Sequence, residues 1–185
     1  MVATARTSLA VIVARAGYGR SGLLDRAVIR HVEKGRSVAV VRAARAISAL
    51  GEPGFVVLPI AAITAYAARR ADWRQACVPV LVVTSGAAVR RLLCRAIGRP
   101  RPPAALWLTE PEGFSMPSKH ASLAGLTAGA CLGSTALGGL GRHAVVFLAV
   151  AGVGASRIYL GVHWPSDVLA AWIFVEAWLR LAGVA

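Results

Sequence analysis

Residues 156–167 read SRIYLGVHWPSD and hold an arginine, a histidine and a carboxylate at spacings that suit phosphate chemistry. Pro165 is favoured in the first turn of a helix, so His163 is expected at a helix entrance and Asp167 one turn further in. An imidazole in that position can attack phosphorus while Asp167 accepts the proton on its other nitrogen and fixes the tautomer. Arg157 would offer a planar fork to phosphate oxygens.

Two further clusters suit the same chemistry. Residues 117–120, PSKH, supply a second histidine as general acid, a hydroxyl, and backbone amides at a helix start, where anions are attracted. Residues 98–102, GRPRP, place two guanidinium groups on a proline-stiffened exit from an apolar segment. A histidine and an aspartate one helical turn apart are more often a structural pair, but three phosphate-competent clusters together favour catalysis.

The three blocks resemble the motifs of the type 2 phosphatidic acid phosphatase superfamily, which also contains vanadium haloperoxidases and bacterial acid phosphatases. That pattern is Lys, six residues and Arg-Pro; then Pro-Ser-Gly-His; then Ser-Arg, five residues, His, three residues and Asp. The third block matches at every defining position. The motifs cover residues 94–167, and the surrounding apolar segments extend the likeness to about residue 50.

The resemblance implies a role for each matching residue. His163 would be the nucleophile that becomes a phosphohistidine, Asp167 its orienting partner, and His120 the acid that protonates the leaving oxygen. The phosphoryl group would be bound by Arg101, Ser118 and Arg157. Neither a metal nor a cofactor is expected in such a site.

Two positions depart from the family pattern. The family lysine falls on Cys94, which carries no positive charge, and the glycine of the second block is Lys119. Phosphoryl transfer needs positive charge near the oxygens rather than at one scaffold position, so Lys119 is expected to return the missing charge as a phosphate-binding residue. Alternative donors lie within about a turn of Cys94: Arg90, Arg91 and Arg95, of which Arg95 joins the predicted site.

The composition indicates a membrane protein. Of the 185 residues, 57% are hydrophobic and 16% are charged, which is more apolar than an ordinary soluble domain of this size. The apolar runs are rich in Ala and Gly, which lets helix backbones approach closely in lipid. Turn signals separate five predicted spans, near residues 54–70, 74–95, 119–139, 143–161 and 166–183.

We therefore predict an all-α, polytopic membrane helix bundle with five to six transmembrane helices, in which residues 51–185 form the phosphatase-like core. Short turns are expected at residues 71–73 and 138–142, whereas residues 96–118 form a longer proline-rich loop. Alternating helix directions then place the four span ends that carry the motifs on one side of the membrane.

Residues 1–50 carry no motif and are predicted to be a separate basic segment. From residue 23 onward we expect amphipathic surface helices with arginines toward lipid headgroups and apolar side chains beneath, namely Val28, Ile29, Val32, Val40, Val41 and Ile47. A signal peptide is disfavoured because the apolar run of residues 8–14 is short and Arg15 closes it. Residues 37–50 are compatible with either a surface helix or a span.

The net charge of +13 restricts the partners. Nucleic acid is disfavoured because the arginines punctuate apolar runs instead of gathering on a polar face among aromatic side chains. Anionic membrane lipids are the expected partner. Arginines crowd both ends of the spans, and the resemblance to bacterial relatives favours an active site that faces outward from the bacterial plasma membrane.

Several residues have simpler explanations than chemistry. The three cysteines lack metal-site spacing and are expected to be small apolar fillers: Cys77, Cys94 and Cys131. His31 and His143 are expected at interfaces or in loops.

The leading interpretation is an integral membrane phosphatase that hydrolyses a lipid phosphate or diphosphate through a phosphohistidine. Polyprenyl phosphates and diphosphates are the first candidates and phosphatidate or phosphatidylglycerophosphate the next; a sugar phosphate on a polyprenyl carrier is also compatible. The alternative, motivated by Cys94 and Lys119, is a non-catalytic lipid-phosphate binding or transport protein. A vanadate-dependent oxidase is a weaker alternative, because soluble haloperoxidase relatives lack this density of apolar spans.

Overall fold

The computed structural model describes residues 22–132 and 139–184. Over these residues the chain is all-α, as predicted, with seven α-helices and one short 3-10 helix at Ala104–Leu106. The α-helices in chain order are α1 (Leu23–Lys34), α2 (Val38–Ala49), α3 (Pro53–Arg69), α4 (Trp73–Ile97), α5 (Lys119–Leu132), α6 (Gly139–Tyr159) and α7 (Pro165–Leu181).

Local sequence signals set most helix ends. Helix α4 follows Asp72, whose carboxylate accepts the N–H of Gln75 at 3.0 Å, and it ends at Gly98, which has a left-handed φ of +61°. The turn expected at residues 138–142 is wrong from residue 139 onward, because those residues form the first turn of α6. Glycine lowers helix stability by only about 1 kcal/mol, which packing can outweigh. The end of the predicted span at residues 133–138 lies outside the described residues.

Helix α5 lies at the centre of the bundle and packs on α4, α6 and α7. Leu126 of α5 is fully buried among side chains such as Val150 of α6 and Val175 of α7. A Cβ at Gly125 would overlap the side chain of Val150, and one at Gly129 would overlap Leu179. Small residues therefore let these helices approach closely, as their composition predicts.

By length and composition, two to three of the described helices qualify as membrane spans. Among the described helices, α4 and α6 are long and apolar enough to cross a membrane, and α2 with α3 would add a third if this pair, bent by 44°, is one broken span. Helices α3 and α7 have 17 residues each, at the lower limit of about 17 to 25 residues for a span.

Helices α1 and α2 pack against the bundle through few side chains. Ile29 is buried against the protein, whereas Val40 and Ile47 are 46% and 42% exposed. Ala44 and Ser48 are the buried residues of α2. The face of α2 that meets the protein is therefore small and partly polar; Val41 packs against the protein, and Val38, Val40 and Ile47 point outward.

Two arginines of this region, predicted to face lipid headgroups, donate hydrogen bonds within the protein. Arg36 donates from Nη2 to the carbonyl oxygen of Leu106 at 2.8 Å, and Arg45 donates from Nη2 to that of Leu108 at 2.9 Å. Loop carbonyls outside regular secondary structure need such donors. Hydrogen bonds from Arg36 and Arg45 thus anchor the long loop after α4 to the N-terminal helical region.

Candidate active site

The three sequence blocks meet at one end of the bundle, where α4 ends, α5 begins, α6 ends and α7 begins. The N–H of Ser118, just before α5, donates to the carbonyl oxygen of Asp167 in α7 at 3.2 Å. Arg101, in the loop after α4, donates from Nη1 to the carbonyl oxygen of Val162, after α6, at 2.8 Å. Contacts between residues far apart in sequence therefore build one site.

The turn between α6 and α7 is shaped by one glycine and one proline. Gly161 has a φ of +78°, which favours glycine, and a Cβ there would overlap the carbonyl oxygen of Leu106. Pro165 begins α7, where its missing N–H is not needed. Asp167 accepts the backbone N–H of Trp164 at 2.8 Å, as an acidic residue in a helix's first turn often does. The histidine of this block is thereby held at the helix entrance.

His163 and Asp167 form the buried centre of the site. Their side chains are 1% and 0% exposed, and Nδ1 of His163 lies 3.2 Å from Oδ2 of Asp167. Across the ring, Nη1 of Arg101 lies 3.1 Å from Nε2. Arginine only donates and a carboxylate only accepts, so the ring carries its proton on Nδ1 and a lone pair on Nε2. Burial lowers the pKa of His163 against the opposing pull of Asp167, so the imidazole is neutral at neutral pH.

Arg101 is held by backbone carbonyls. Its Nε donates to Gly113 at 2.8 Å, and its Nη2 donates to Glu112 at 2.7 Å and to Phe114 at 2.9 Å. The guanidinium therefore organises this part of the loop and also covers Nε2 of the buried histidine. A phosphate that reaches the histidine must compete for Nη1 of Arg101.

Several buried donors have no hydrogen-bond partner among the described residues, and two of them belong to the predicted site. These are Nε of Arg157 and Oγ of Ser118, on side chains that are nearly or completely buried. Nη1 of Arg157 donates to Oγ of Ser48 in α2 at 2.8 Å, which holds the guanidinium in place. Unmet buried donors are rare in proteins, and a pair of them beside a buried histidine suits an anionic ligand.

His120 lies in the first turn of α5, within electrostatic reach of His163, Arg157 and Arg101. Its backbone packs on Gly51, in the break between α2 and α3. A Cβ at Gly51 would lie 2.5 Å from the carbonyl oxygen of His120 and 2.7 Å from its Cβ. The break between α2 and α3 therefore supports the position of the second histidine.

Lys119 does not point at the buried histidines. Its Nζ donates to Oε2 of Glu112 at 3.0 Å, and the two side chains are 33% and 84% exposed. The hydrogen bond and the charge of Lys119 lower the pKa of Glu112 below its usual value, so the Glu112 carboxylate is ionised at neutral pH. Lys119 thus ties the start of α5 to the loop around Arg101.

Among the arginines near Cys94, Arg90 is the one whose side chain contacts the site. Cys94 is buried, and Arg95 is exposed next to it. Arg90, one turn earlier on α4, is 9% exposed and donates from Nη1 to the carbonyl oxygen of Pro117 at 3.0 Å. Its guanidinium therefore lies against the second motif block.

Two charged residues lie behind Asp167: Arg99, which the sequence offered as a phosphate-competent guanidinium, and Asp25, which sequence reasoning missed. Arg99 donates from Nη1 to Oδ1 of Asp167 at 2.5 Å and from Nη2 to Oδ2 of Asp25 in α1 at 2.7 Å. Arg99 is 3% exposed and Asp25 is 5% exposed. A signal existed for Asp25, because it lies four residues before the buried Ile29 and hence on the same helix face.

The remaining candidate residues lie apart from this site. Within residues 22–132 and 139–184, no group of three or more His, Cys, Asp or Glu side chains could hold a metal ion. Cys77 is exposed and Cys131 is half-buried, and both are free thiols. His143, near the start of α6, pairs with Glu176 at 2.9 Å.

A largely apolar groove of about 540 Å³ runs between α3, α4 and α5. Its lining includes Val56, Ile60 and Val83, and three cations line the end nearest the site: Arg90, Arg91 and Lys119. An apolar groove with a cationic end suits a lipid that carries a phosphate.

A helical bundle with a buried, carboxylate-oriented histidine among arginines defines a class of membrane enzymes that act on phosphate, and comparison with known proteins agrees. The sequence model of the PAP2 superfamily matches residues 75–182. Decaprenylphosphoryl-5-phosphoribose phosphatases are similar in sequence, at 33% identity over 68% of both chains for that of Mycobacterium tuberculosis and 32% over 70% of both for that of Mycolicibacterium smegmatis. The crystal structure of a transmembrane PAP2 type phosphatidylglycerolphosphate phosphatase from Bacillus subtilis is similar in fold, with a TM-score of 0.80. That alignment has 23% identity and covers 98% of this chain and 93% of the other.

The chain therefore belongs to the PAP2 superfamily, which confirms the resemblance of its motifs. It is an integral membrane lipid phosphatase, a phosphomonoester hydrolase, with the transmembrane PAP2 fold.

Proposed function

We propose that this phosphatase removes the terminal phosphate from a sugar phosphate carried on a polyprenyl phosphate lipid, through a phosphohistidine. Similarity to two decaprenylphosphoryl-5-phosphoribose phosphatases supports this substrate class. The observation that carries the chemistry is the buried imidazole of His163, with its proton on Nδ1 toward Asp167 and its lone pair on Nε2. Polyprenyl diphosphates, phosphatidate and phosphatidylglycerophosphate are the competing substrates.

In the first step, Arg101 turns its Nη1 from Nε2 of His163 to a phosphoryl oxygen. The freed lone pair attacks phosphorus in line with the ester oxygen, so that the N–P bond forms as the P–O bond breaks. Asp167 stabilises the positive charge that develops on the ring. The electron pair of the broken bond goes to the leaving oxygen, which takes a proton from His120.

In the second step, His120 acts as a base. It takes a proton from water, whose oxygen attacks phosphorus and breaks the N–P bond, so that inorganic phosphate leaves and His163 regains its lone pair. Throughout, the donors of Arg101, Arg157 and Ser118 hold the phosphoryl oxygens. The unmet donors of Arg157 and Ser118 support this assignment.

Arg90, rather than Lys119 or Arg95, supplies the positive charge that the family lysine would carry at position 94. Arg90 is buried with its guanidinium against Pro117, whereas Arg95 is exposed and Lys119 is paired with an exposed glutamate. A preorganised, desolvated cation acts more strongly on a developing charge than a solvated one.

The groove between α3, α4 and α5 holds the lipid tail. Its apolar lining suits a prenyl chain, and its cationic end suits the second phosphate that links a prenyl chain to a sugar. Phosphatidylglycerophosphate also carries two phosphates, so the groove alone does not choose between these lipids. The similar sequences favour the polyprenyl carrier.

Helices α3 to α7 each cross the membrane, which gives five spans, and the motif end faces outward. Single cysteines introduced at Glu110, in the motif-side loop, and at Arg70, after α3, test this arrangement in a variant without native cysteines. A membrane-impermeant maleimide should label Glu110→Cys in intact cells and Arg70→Cys only after lysis. The reverse pattern would place the active site inside.

Phosphate release from a lipid panel tests the proposed substrate. The purified protein in detergent should act best on a polyprenylphosphoryl sugar phosphate, then on polyprenyl diphosphate, phosphatidylglycerophosphate and phosphatidate. Its activity should persist in chelator, because the cations of the site are side chains. Equal rates on all four lipids would contradict the substrate proposal but not the chemistry.

His163→Ala is the matched control for the chemistry, and it should abolish turnover while the protein stays folded. Wild type quenched in alkaline detergent should carry one acid-labile, base-stable phosphate on His163 when given labelled substrate, and the variant none. Multiple turnovers by the variant would contradict the phosphohistidine mechanism.

A further inference from the structure

A chain of buried charges connects the N-terminal helix to the proposed nucleophile. His163 contacts Asp167, Asp167 contacts Arg99 and Arg99 contacts Asp25, with closest distances of 3.2, 2.5 and 2.7 Å. All four side chains are at least nine-tenths buried. Only Arg99 and Asp167 thus stand between Asp25, a residue of α1, and His163.

We propose that Asp25 and Arg99 are positioning residues for this phosphatase, which hold the carboxylate of Asp167 aimed at Nδ1 of His163. This inference rests on the phosphohistidine mechanism proposed above. Through Asp25, helix α1 thereby contributes a positioning residue to the active site.

The hydrogen bonds of Asp167 divide cleanly between its two oxygens. Oδ2 accepts from His163 and from the backbone N–H of Trp164 at 2.8 Å. Oδ1 accepts from Arg99 and from Oγ of Ser115 at 3.3 Å. The carboxylate cannot rotate without losing partners on both oxygens, so Arg99 fixes the direction in which Oδ2 accepts.

Asp25 also fixes the first turn of α7. The backbone N–H of Ser166 donates to Oδ1 of Asp25 at 3.0 Å, and its Oγ donates to Oδ2 at 2.6 Å. The N–H groups of a helix's first turn have no partner within the helix, and a carboxylate satisfies one of them. Asp25 therefore holds both Arg99 and the helix that carries Asp167.

The charges of these buried side chains explain why a second carboxylate is needed. Asp25, Arg99 and Asp167 together carry one negative charge, whereas Arg99 and Asp167 alone would be neutral. His163 becomes positive during attack, beside two arginines that disfavour that charge, Arg101 and Arg157. The extra negative charge from Asp25 leaves Asp167 free to stabilise the imidazolium.

Asp25→Asn tests the inference, with Glu33→Gln as matched control, because Glu33 is an exposed acid on the same helix. Asparagine keeps the size of the side chain and removes its charge. We expect kcat on the preferred lipid to fall about tenfold. At metal sites, mutation of the residue that hydrogen-bonds a ligating histidine typically costs about 10- to 100-fold in affinity or activity, and tenfold is the lower end of that range. KM should change less than about twofold, since Asp25 does not touch the phosphate, and Glu33→Gln should match wild type.

A double-mutant cycle separates positioning from mere folding. If Asp25 acts through Asp167, then Asp25→Asn should lower kcat much less in an Asp167→Asn background than in wild type. Equal losses in both backgrounds would overturn the inference. Asp25→Glu should recover part of the rate, because it restores the charge.

Ser166→Ala serves if Asp25→Asn does not fold. It removes one hydrogen bond to Asp25 and one from Arg99, and should lower kcat with KM unchanged. A rate equal to wild type would overturn the inference. If wild type itself forms no phosphohistidine on an alkaline quench, the proposed chemistry fails instead, and the two failures are therefore distinguishable.

Discussion

The position of His120 is set by backbone packing, because the helix turn that carries it rests on Gly51. As the proposed acid, it matters in proportion to the basicity of the leaving oxygen. His120→Ala should lower kcat/KM by roughly 10²- to 10⁴-fold on an alkyl phosphate. The loss should be much smaller on an activated aryl phosphate, whose leaving oxygen needs no proton. Rates measured on both esters check this, and equal losses would remove His120 from the acid role.

The cation that replaces the family lysine can be identified by single substitutions. Arg90→Met should lose about 2 to 4 kcal/mol of transition-state stabilisation, as expected for one preorganised donor. Lys119→Gly should change kcat/KM little on a soluble phosphate ester, because Lys119 is partly exposed and paired with Glu112.

Cys94→Lys completes this test. Cys94 is buried one turn from Arg90, so a lysine there should restore part of the activity of Arg90→Met. Values of kcat/KM for the single and double variants decide the matter. A large loss in Lys119→Gly with none in Arg90→Met would return the role to Lys119.

At the scale of secondary-structure elements, the break between α2 and α3 supports the site directly. Gly51→Ala would push the start of α5 away, because the new Cβ would meet backbone atoms of His120 rather than a flexible side chain. A misplacement of about 1 Å at a catalytic group costs about 10²-fold in rate. We therefore expect kcat to fall on that scale.

Gly54→Ala is the matched control for Gly51→Ala. No atom lies within 4 Å of a Cβ at Gly54, which is in the first turn of α3. Alanine there should leave kcat unchanged and raise helix stability by up to about 1 kcal/mol. Equal losses in the two variants would show that general helix packing, not the contact with His120, is responsible.

For the whole molecule, the contact between α1 and α7 should make stability depend on pH. Burial alone would raise the pKa of Asp25, but its hydrogen bonds with Ser166 and Arg99 prevail and lower it. The folded chain then binds this proton more weakly than the unfolded chain. The stabilisation is complete above the unfolded pKa of about 3.9 and is lost as the pH falls through the folded pKa.

Thermal unfolding in detergent measures this contribution. Asp25→Asn should unfold at a lower temperature than wild type at pH 7, and the difference should narrow below about pH 4, where wild-type Asp25 takes up a proton. Glu33→Gln should unfold like wild type throughout. A difference between Asp25→Asn and wild type that is independent of pH would show that the carboxylate charge is not responsible.

Most of the fold and the centre of the site followed from the sequence alone. Helix ends depend on nearby residues such as Pro165 and Gly98, and the pairing of His163 with Asp167 depends on one helical turn. Alternating helix directions then required the motif blocks to meet. These features are local, or follow from local features by geometry, so residue spacing was enough to predict them.

The surroundings of that centre were decided only by the tertiary structure. Asp25 and its partner Ser166 are 141 residues apart, and neither spacing nor periodicity connects them. Likewise, the direction of Lys119 depends on where Glu112 lies in the loop, and the importance of Arg90 depends on its burial against Pro117. A long charged side chain can reach several partners at similar cost, so its choice is made by burial and by neighbours from distant parts of the chain.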